Sequence, residues 1–496
     1  MVNRKVFREA KIQNSLRNGE KMRKTKIICT IGPASGNEDV LRKMILAGMN
    51  VARLNFSHST HADHAEKITL IKKLRKELDL PVAILIDTKG IEIRLRAFEG
   101  GGVFLKTGDR FTFTTKDIVG NKETGSVDFP ELCEVVKKGG RILVDDGLCE
   151  FLVLNVTGEG VECEVLNDGE IKDNKSVNLP GARLNVPFLS QTDKEDLIFG
   201  IEHGADFFAL SFTRSASDVN DVKDFLKERG CTDIELIAKI ENSEGVENID
   251  EIIDVTDGVM VARGDMGVEI PFEELPYIQK KIIKACYTKG KTAIVATQML
   301  ESMISNPRPT RAEITDVANA VYDSATAVML SAETSVGKYP VESIETLVKI
   351  TERTEEAIGD IGSTVRNSQF SNKSKNIADA ISYATCATAD NLSASSILAV
   401  TLSGATARLI SRFHPQAQII GVTPFEKTYY QLAMSWGVTP VMNEYVEEAD
   451  ELIQNAVMTI ENKKCVNPGD LVVIAGNSRY SPAEVNSIQV YIVPCR

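Results

Sequence analysis

Residues 235–265 read ELIAKIENSEGVENIDEIIDVTDGVMVARGD, and this stretch contains the unit from which most of the chain is built. A short apolar run (235–240) is followed by a polar turn, a longer amphipathic stretch and a second apolar run (258–262). Buried parallel strands read as continuous apolar runs of this kind. Charged residues follow each run directly, with Glu241 after the first and Arg263 after the second. The stretch therefore predicts parallel strands with charged side chains at their carboxyl ends.

The same unit recurs until eight strand-like runs have passed, which predicts a (β/α)₈ or TIM barrel. The runs are residues 26–31, 50–54, 82–86, 206–210, 235–240, 258–262, 292–296 and 327–330. Between the third and fourth runs, the chain instead shows alternating runs (110–114, 141–144, 151–156 and 161–166) separated by glycine-containing turns. Such alternation indicates antiparallel strands, so we expect an antiparallel β-barrel domain inserted in the third βα loop.

A second α/β pattern follows a polar stretch that we interpret as a linker. Its strand-like runs are residues 396–402, 419–422, 439–442, 470–474 and 488–493. A length of 496 residues, at roughly 150 residues per domain, also suggests three domains. The expected boundaries are 1–23 for an N-terminal extension, 24–90 and 187–361 for the barrel, 91–186 for the insert, 362–375 for the linker and 376–496 for a C-terminal α/β domain.

Composition argues against several classes of function. The net charge of −13 and the pI of about 5.2 disfavour a nucleic-acid partner, which would need a basic surface. No apolar run approaches the ~20 residues that span a bilayer, so we expect no membrane partner. The nine cysteines include no CxxC pair, which favours reduced thiols in the cytoplasm over a zinc or disulfide framework. The basic N-terminal segment lacks the apolar stretch of a secretory signal.

The strand ends carry a complementary set of charges. Catalytic groups of such barrels gather at the carboxyl ends of the strands. The carboxylates of Glu241 and Asp265 come there among three cations, Arg53, Lys89 and Lys239. Carboxylates of this kind hold Mg²⁺, and arginine and lysine stabilise a moving phosphoryl group. Structural salt bridges are the alternative for the same charges.

Seven motifs, in order along the chain, resemble those of the pyruvate kinase family. They are KTKIICTIGPAS (24–35), VARLNFSH (51–58), DTKGIEIR (87–94), AKIEN (238–242), MVARGDMG (260–267), ATQMLESM (296–303) and NPRPTRAEITDVANAV (306–321). The resemblance implies an enzyme that transfers the phosphoryl group of phosphoenolpyruvate to ADP, giving pyruvate and ATP in the final step of glycolysis. Thr310 and Glu313 of the last motif also match a capping box, which predicts a helix start.

The resemblance implies a catalytic role for five residues. Lys239 would be the main cation stabilising the phosphoryl group in transfer, and Arg53 would bind the phosphate of phosphoenolpyruvate. Thr297 would lie on the face of the enolate where a proton reaches the methylene carbon. Ser331 and Glu333 would belong to the relay that supplies this proton.

The resemblance also implies two cations and two sets of ligand contacts. Glu241 and Asp265 would hold Mg²⁺ or Mn²⁺, while the backbone amides of Gly264 and Asp265 would bind the substrate carboxylate. Glu92 is the residue type that the family shows where potassium is required. The residues that match the K⁺ site are Asn55, Ser57, Asp87 and Thr88. Those that match nucleotide-phosphate contacts are Asn55, His58, Arg94 and Lys175.

The insert makes physical sense as a lid over such a site. A closing domain excludes water, which would otherwise hydrolyse the phosphoryl group, and completes the site. Lys175 lies on this lid and would reach the nucleotide only on closure. The family is typically homotetrameric, and we carry that over as an expectation.

Several residues depart from the family pattern. Ile91 stands where the family has proline, at the entrance to the lid. Ala332 replaces a glycine, and its methyl group would disturb the backbone if φ were positive. Residues 324–326 (Ser-Ala-Thr) replace a more usual Gly-Thr-Asp, and Thr213 replaces an apolar residue. None of these changes removes a catalytic group.

The loop after residue 400 resembles the phosphate-binding effector loop of the family. A Ser/Gly/Thr turn that opens a helix can bind an anion, although an ordinary capped helix start has the same pattern. The residues of this candidate site for a phosphorylated allosteric effector are Thr401, Ser403, Gly404, Ala405 and Thr406. Residues 475–486 lack the glycine-rich stretch that usually completes the site.

Two other functions remain open from the sequence. An aldolase-like enzyme of phosphoenolpyruvate or pyruvate would also use Glu241 and Asp265 as metal ligands. A degenerate pyruvate kinase that only binds metabolites and regulates partners is the second alternative, and Ile91 and Ala332 motivate it. Lys239 and the predicted lid favour phosphoryl transfer.

Overall fold

The computed structural model describes residues 23–184, 186–361, 376–477 and 485–495. Three features expected from the sequence lie outside these residues: the N-terminal extension up to residue 22, the linker 362–375, and residues 478–484 of the last C-terminal loop. No helix in the described ranges is long and apolar enough to cross a membrane.

Eight parallel strands form a closed barrel, in which each strand pairs with its neighbours in chain order. All eight predicted runs are confirmed to within one residue at each end. The strands are Lys26–Thr30, Val51–Asn55, Ala83–Asp87, Phe207–Leu210, Glu235–Ile240, Gly258–Ala262, Thr292–Ala296 and Ala327–Leu330. Alternate residues of each strand point in opposite directions. Ile28, Val51 and Ile237 therefore fill the barrel interior, while Ile27 and Ala52 pack against the outer helices.

Helices surround the barrel, and several begin with a side-chain cap. The predicted capping box of Thr310 and Glu313 is confirmed. Ser190 with Asp193 and Thr60 with Asp63 form two more. The α-helices are Glu38–Ala47, His61–Glu77, Gln191–Glu202, Ala216–Lys227, Ser243–Glu247, Ile249–Val255, Arg263–Glu269, Leu275–Lys289, Arg311–Tyr322, Ala332–Ser335 and Pro340–Ile361, with a 3-10 helix at Glu301–Ile304.

The insert has its own core and two sheets. Its largest buried side chains are Phe111, Phe113 and Phe151. The six-stranded sheet contains, in spatial order, Val177–Asn178, Arg141–Val144, Cys149–Val156, Gly160–Val165, Arg110–Thr114 and Thr124–Ser126. Gly169–Lys172 and Gly102–Leu105 form a two-stranded sheet, and the helices are Glu99–Gly101 (3-10) and Leu132–Val135. The pairing is antiparallel except between Arg110–Thr114 and Thr124–Ser126, because residues 115–123 lead the chain back before the next strand begins.

The C-terminal domain is a five-stranded sheet that lies against the amino end of the barrel. Its strands, in spatial order, are Val438–Met442, Gln418–Thr423, Ser396–Val400, Leu471–Gly476 and Ser487–Ile492, and only the last pairs antiparallel. Its helices are Ile377–Asn391, Ala405–Ser411, Glu426–Gln431, Leu432–Met434 (3-10) and Ala449–Asn462. Ala433 and Met434 join the interior cluster of the barrel and so close its amino end.

Candidate active site

The strand periodicity places three charged side chains at the carboxyl end of the barrel interior. Arg53, Asp87 and Lys239 each lie two positions after an interior residue of the same strand. Because side chains two apart share a face, all three turn towards the barrel axis. Each of the three residues is less than 9% exposed.

Asp87 lies at the centre of a buried ionic network. Its Oδ2 is 2.6 Å from Arg53 Nε and its Oδ1 is 3.0 Å from Lys239 Nζ. Lys239 Nζ also lies 3.0 Å from Glu241 Oε1 and donates to Ser211 Oγ at 2.7 Å. Burial alone would lower the pKa of Lys239, but Asp87 and Glu241 raise it above its ordinary value. The ammonium group of Lys239 therefore stays charged although it is buried.

Glu241 and Asp265 form the carboxylate pair expected to hold a divalent cation. Burial raises the pKa of Glu241 to about 7, Lys239 opposes this, and the charges of Asp265 and Asp87 add to it. Glu241 is buried and Asp265 is half-buried, and a like-charged pair of this kind suits a divalent ion. Within the described ranges, no group of three or more His, Cys, Asp or Glu side chains could hold a metal. An ion here would therefore use these two carboxylates and take its other ligands from water and substrate.

The backbone around Thr297 is held in an uncommon conformation. Thr297 and Gln298 have φ values of 63° and 54°. Thr297 Oγ1 accepts a 2.8 Å hydrogen bond from the amide of Gly264, which joins the sixth and seventh strand ends. Arg263 donates from Nη2 to the Thr297 carbonyl at 2.5 Å and pairs with Asp316 at 2.5 Å. Strained backbone that is held by its neighbours in this way is typical of active sites.

Ser331 and Glu333 follow the eighth strand. Glu333 is 2% exposed, and its two oxygens accept the amides of Leu300 (3.0 Å) and Ser331 (2.7 Å). Burial raises the pKa of Glu333 above its ordinary value. The hydroxyl of Ser331 is buried and has no hydrogen-bond partner in the described structure. Ala332 has no positive φ, so its methyl group does not strain the backbone as the sequence suggested it could.

The expected potassium ligands lie between the second and fourth strands. Asn55 Oδ1 accepts the Ser57 amide at 3.2 Å, and the Thr88 carbonyl accepts Ser211 Oγ at 2.7 Å. With Asp87, these groups offer amide, hydroxyl, carbonyl and carboxylate oxygens, the donor types that hard cations take.

The residues expected to contact the nucleotide lie on two domains, the barrel and the insert. Asn55 and His58 lie at the second strand end, whereas Arg94 and Lys175 lie on the insert. Lys175 Nζ pairs with Asp145 at 2.8 Å, and Arg94 pairs with Glu92 and donates to the Asn174 carbonyl at 2.7 Å.

Of the three cations expected at the strand ends, Arg53 and Lys239 are buried and Lys89 is exposed. Burial raises the pKa of Asp196, and the charge of Lys89 acts against that rise.

The effector-loop residues form a compact turn at the end of the strand Ser396–Val400. Gly404 has φ +85° and donates its amide to Thr401 Oγ1 at 2.9 Å. Ala405 and Thr406 begin the following helix, and Arg408 donates to the Ser403 carbonyl at 2.6 Å.

Three further residues contribute to the site: the sequence placed Ser211 at the end of the fourth strand without a role, and it did not single out Thr30 or Phe212. Ser211 bridges Lys239 and Asp87, and Thr30 Oγ1 accepts from Arg53 Nη1 at 2.9 Å. Phe212 has φ 56° and donates its amide to Glu241 Oε2 at 2.6 Å. Each of these residues lies at or next to a strand end, and that position is the one feature of the sequence that could have indicated a role in the site. The substituted Thr213 is fully buried, and its hydroxyl donates to the Leu210 carbonyl at 2.8 Å.

Comparisons with known proteins agree over most of the chain. A family model described as "Pyruvate kinase, barrel domain" matches residues 22–344, and one described as "Pyruvate kinase, alpha/beta domain" matches residues 379–491. The pyruvate kinase of Clostridium perfringens is 48% identical over 456 residues, which cover 92% of this chain and 96% of that protein. The pyruvate kinase of Clostridium acetobutylicum is 45% identical over 474 residues, covering 95% and 100%. A crystal structure of a pyruvate kinase from Cryptosporidium parvum matches with a TM-score of 0.90 at 35% identity, covering 97% of both chains.

Proposed function

This chain belongs to the pyruvate kinase family, whose function we assign to it, and we propose that the carboxyl end of its barrel transfers the phosphoryl group of phosphoenolpyruvate to ADP. The observation that carries this proposal is the buried, charged Lys239, held by Asp87, Glu241 and Ser211. A fixed cation in a pocket of low dielectric constant stabilises charge that develops during transfer and needs no reorganisation. Asp87 also fixes Arg53, which would bind the substrate phosphate.

The reaction breaks the bond between phosphorus and the enol oxygen and forms one to a terminal oxygen of ADP. The enolate that remains takes a proton at its methylene carbon and becomes pyruvate. Thr297 would lie on that face, where its hydroxyl oxygen accepts a hydrogen bond from the Gly264 amide. We propose that Ser331 and Glu333 supply the proton, a role supported by the buried, unpartnered hydroxyl of Ser331.

We propose that Glu241 and Asp265 hold Mg²⁺, or Mn²⁺ in its place. When bound, the divalent ion would supply positive charge for the enolate and carboxylate oxygens. The amides of Gly264 and Asp265 would orient that carboxylate. Asn55, Ser57, Asp87 and Thr88 would hold K⁺.

The nucleotide phosphates would contact the barrel and the insert. Asn55 and His58 would bind from the barrel, and Arg94 and Lys175 from the lid. The Lys175–Asp145 pair is partly exposed, and such pairs contribute little stability, so exchanging Asp145 for a phosphate costs little. Closure of the lid would also exclude water from the transfer.

We also propose a location, an assembly state and an effector for this protein. The nine cysteines are all free, which supports a reducing compartment such as the cytoplasm. Exposed Phe272, Tyr277 and Val336 on the barrel, and Val490 and Ile492 on an edge strand, support assembly into a homotetramer. The turn 401–406 would bind a phosphorylated effector.

The test is the formation of pyruvate from phosphoenolpyruvate and ADP, with and without Mg²⁺ and K⁺. We expect turnover that needs both ions. Substrate binding without turnover in any ion combination would instead support the regulatory alternative.

A further inference from the structure

The insert is joined to the barrel by two crossings, and one carboxylate binds both of them. We call residues 88–91 the entry crossing and residues 186–190 the exit crossing. Asp193 Oδ1 accepts a hydrogen bond from the Gly90 amide in the entry crossing at 2.9 Å. Its Oδ2 accepts from the amide of Ser190 in the exit crossing at 3.1 Å and from the Ser190 hydroxyl at 2.5 Å. Asp193 therefore ties the two crossings to each other.

The bond from Gly90 to Asp193 is a buried contact at a place where the backbone is otherwise little restricted. Asp193 is only 1% exposed, and a buried carboxylate needs hydrogen-bond donors in place of water. Ile91 follows Gly90 and does not fix φ, whereas the proline that the family has there would do so. The position of Gly90 thus depends on its contacts, and the bond to Asp193 is one of them.

The entry crossing packs closely against the turn that holds Lys239 and Glu241. A Cβ placed on Gly90 would lie 2.9 Å from Ser211 Cβ and 3.0 Å from Phe212 Cδ2, so nothing larger than glycine fits there without a shift. Ser211 Oγ accepts from Lys239 Nζ at 2.7 Å, and the Phe212 amide donates to Glu241 Oε2 at 2.6 Å. A displacement of the entry crossing would therefore reach both charged side chains.

We propose that Asp193 is a positioning residue for phosphoryl transfer, which holds the entry crossing against the turn of Ser211 and Phe212. This inference rests on the proposed function. Asp193 acts through Gly90, and the lid begins one residue after Gly90. The same carboxylate thus couples the place where the lid joins the barrel to the position of the Lys239 ammonium group.

The test is Asp193→Asn in the full-length protein, with kcat and phosphoenolpyruvate affinity measured separately. The asparagine side chain has one acceptor oxygen, and its amino group only donates, so it cannot accept from both crossings. We expect kcat to fall about tenfold or more, because small displacements of reacting groups cost rate steeply. Arg53 is held directly by Asp87 and Thr30, so the dissociation constant of phosphoenolpyruvate should stay within about twofold.

Two controls separate the bond to Gly90 from the start of the helix. Asp63→Asn is the matched control, because Asp63 forms the same capping box with Thr60, away from the two crossings. Its kcat should stay within about twofold of the wild type. Ser190→Ala removes the cap hydroxyl but keeps the bond from Gly90 to Asp193, so it should lower stability and leave kcat well above that of Asp193→Asn.

Hydrogen exchange tests the contact without relying on turnover. The amides of Gly90 and Phe212 should exchange faster in Asp193→Asn and at the wild-type rate in Asp63→Asn. Unchanged kcat in Asp193→Asn, an equal loss of kcat in Ser190→Ala, or unchanged exchange at both amides would overturn the proposal. A wild-type protein without turnover would contradict the proposed function instead, and the exchange rates would still report whether Asp193 holds the entry crossing.

If Asp193→Asn does not fold, Gly90→Ala tests the same link from the other side. Its methyl group would lie 2.9 Å from Ser211 Cβ, so it would displace the turn of Ser211 and Phe212. The kcat should again fall about tenfold or more. A folded Gly90→Ala protein with the wild-type kcat would overturn the proposal as well.

Discussion

The two ends of the barrel each contain a buried acid between two cations, yet only one end is suited to chemistry. At the amino end, Asp206 lies 3.4 Å from Arg75 and 4.0 Å from Lys427. At the carboxyl end, Asp87 lies 2.6 Å from Arg53 and 3.0 Å from Lys239. Both networks consist of ion pairs between a carboxylate and two cations, so ion pairing alone does not identify an active site.

The difference lies in what surrounds each network. At the amino end, the remaining partners are peptide groups: Asp206 accepts the Ile84 amide at 2.8 Å, and Arg75 donates to the Val82 carbonyl at 3.0 Å. The Arg75 guanidinium also lies over the ring of Tyr430 of the C-terminal domain, 3.3 Å from its centroid. At the carboxyl end, the charges pair mainly with one another beside an open cleft, and Phe212 and Thr297 have left-handed backbone. At the amino end, the fold supplies most of the partners, although Arg75 Nε is buried without a hydrogen-bond partner in the described structure. At the carboxyl end, the cleft leaves room for a ligand beside the charges, and we expect one to bind there.

The largest effect expected from this comparison is that of Lys239→Met. Removing this cation should lower kcat by on the order of 10³-fold or more, while Arg53 still pairs with Asp87 and the fold persists. Lys26→Met is the matched control, because Lys26 is a buried lysine at the opposite end that donates to the Val438 carbonyl. Steady-state pyruvate formation measures kcat, and circular dichroism shows whether the fold persists. Near-normal turnover in Lys239→Met would remove the basis of the proposed mechanism.

The reverse result is expected for Arg75→Met at the amino end. Asp206 would lose a buried partner, which should cost about 3 kcal/mol of unfolding free energy. The kcat should change less than about twofold, because Arg75 lies far from the carboxyl end. Urea unfolding measures the loss of stability, and a separate assay at low temperature measures kcat. Arg353→Met, which removes an exposed arginine, is the control. A large loss of kcat without a loss of stability would show that the two ends are not separable in this way.

The sequence predicted the carboxyl end better than the amino end for a physical reason. Strand ends are local features, so the positions of Arg53, Lys239 and Glu241 follow from apolar runs and the residues after them. The roles assigned to these residues stay predictions. Lys89 also follows a strand but is exposed, because strand position does not determine how deeply a side chain is buried.

Long-range packing left no local signal. The closure of the barrel by Ala433 and Met434 joins distant parts of the chain, and the parallel pairing of Arg110–Thr114 with Thr124–Ser126 depends on how the connection between them folds. None of these contacts has a periodicity or a motif of its own. They become visible only when the chain is folded.

Removal of potassium should have an intermediate effect. Replacing K⁺ by tetramethylammonium at equal ionic strength should lower kcat about tenfold or more, because one positive charge leaves the site. Glu92→Lys should restore activity without K⁺ by placing an ammonium group near the same oxygens. In the described structure, Glu92 pairs with Arg94 and its Oε2 is buried without a partner. Glu123→Lys, elsewhere on the insert, is the control. Full wild-type activity in the absence of both K⁺ and Na⁺ would contradict the potassium site.

The smallest effect is expected for Ala332→Gly, which restores the family's residue beside Ser331. Ala332 begins the helix Ala332–Ser335 with no positive φ, so its methyl group is tolerated. The kcat should therefore change less than about twofold, and stability should fall by up to ~1 kcal/mol, since glycine is less favourable than alanine in a helix. Ala216→Gly, at the first turn of Ala216–Lys227, controls for the helix effect. A gain in kcat of about tenfold would mean that the alanine displaces Ser331 or Glu333, and that this end of the barrel is less well arranged for catalysis than its contacts indicate.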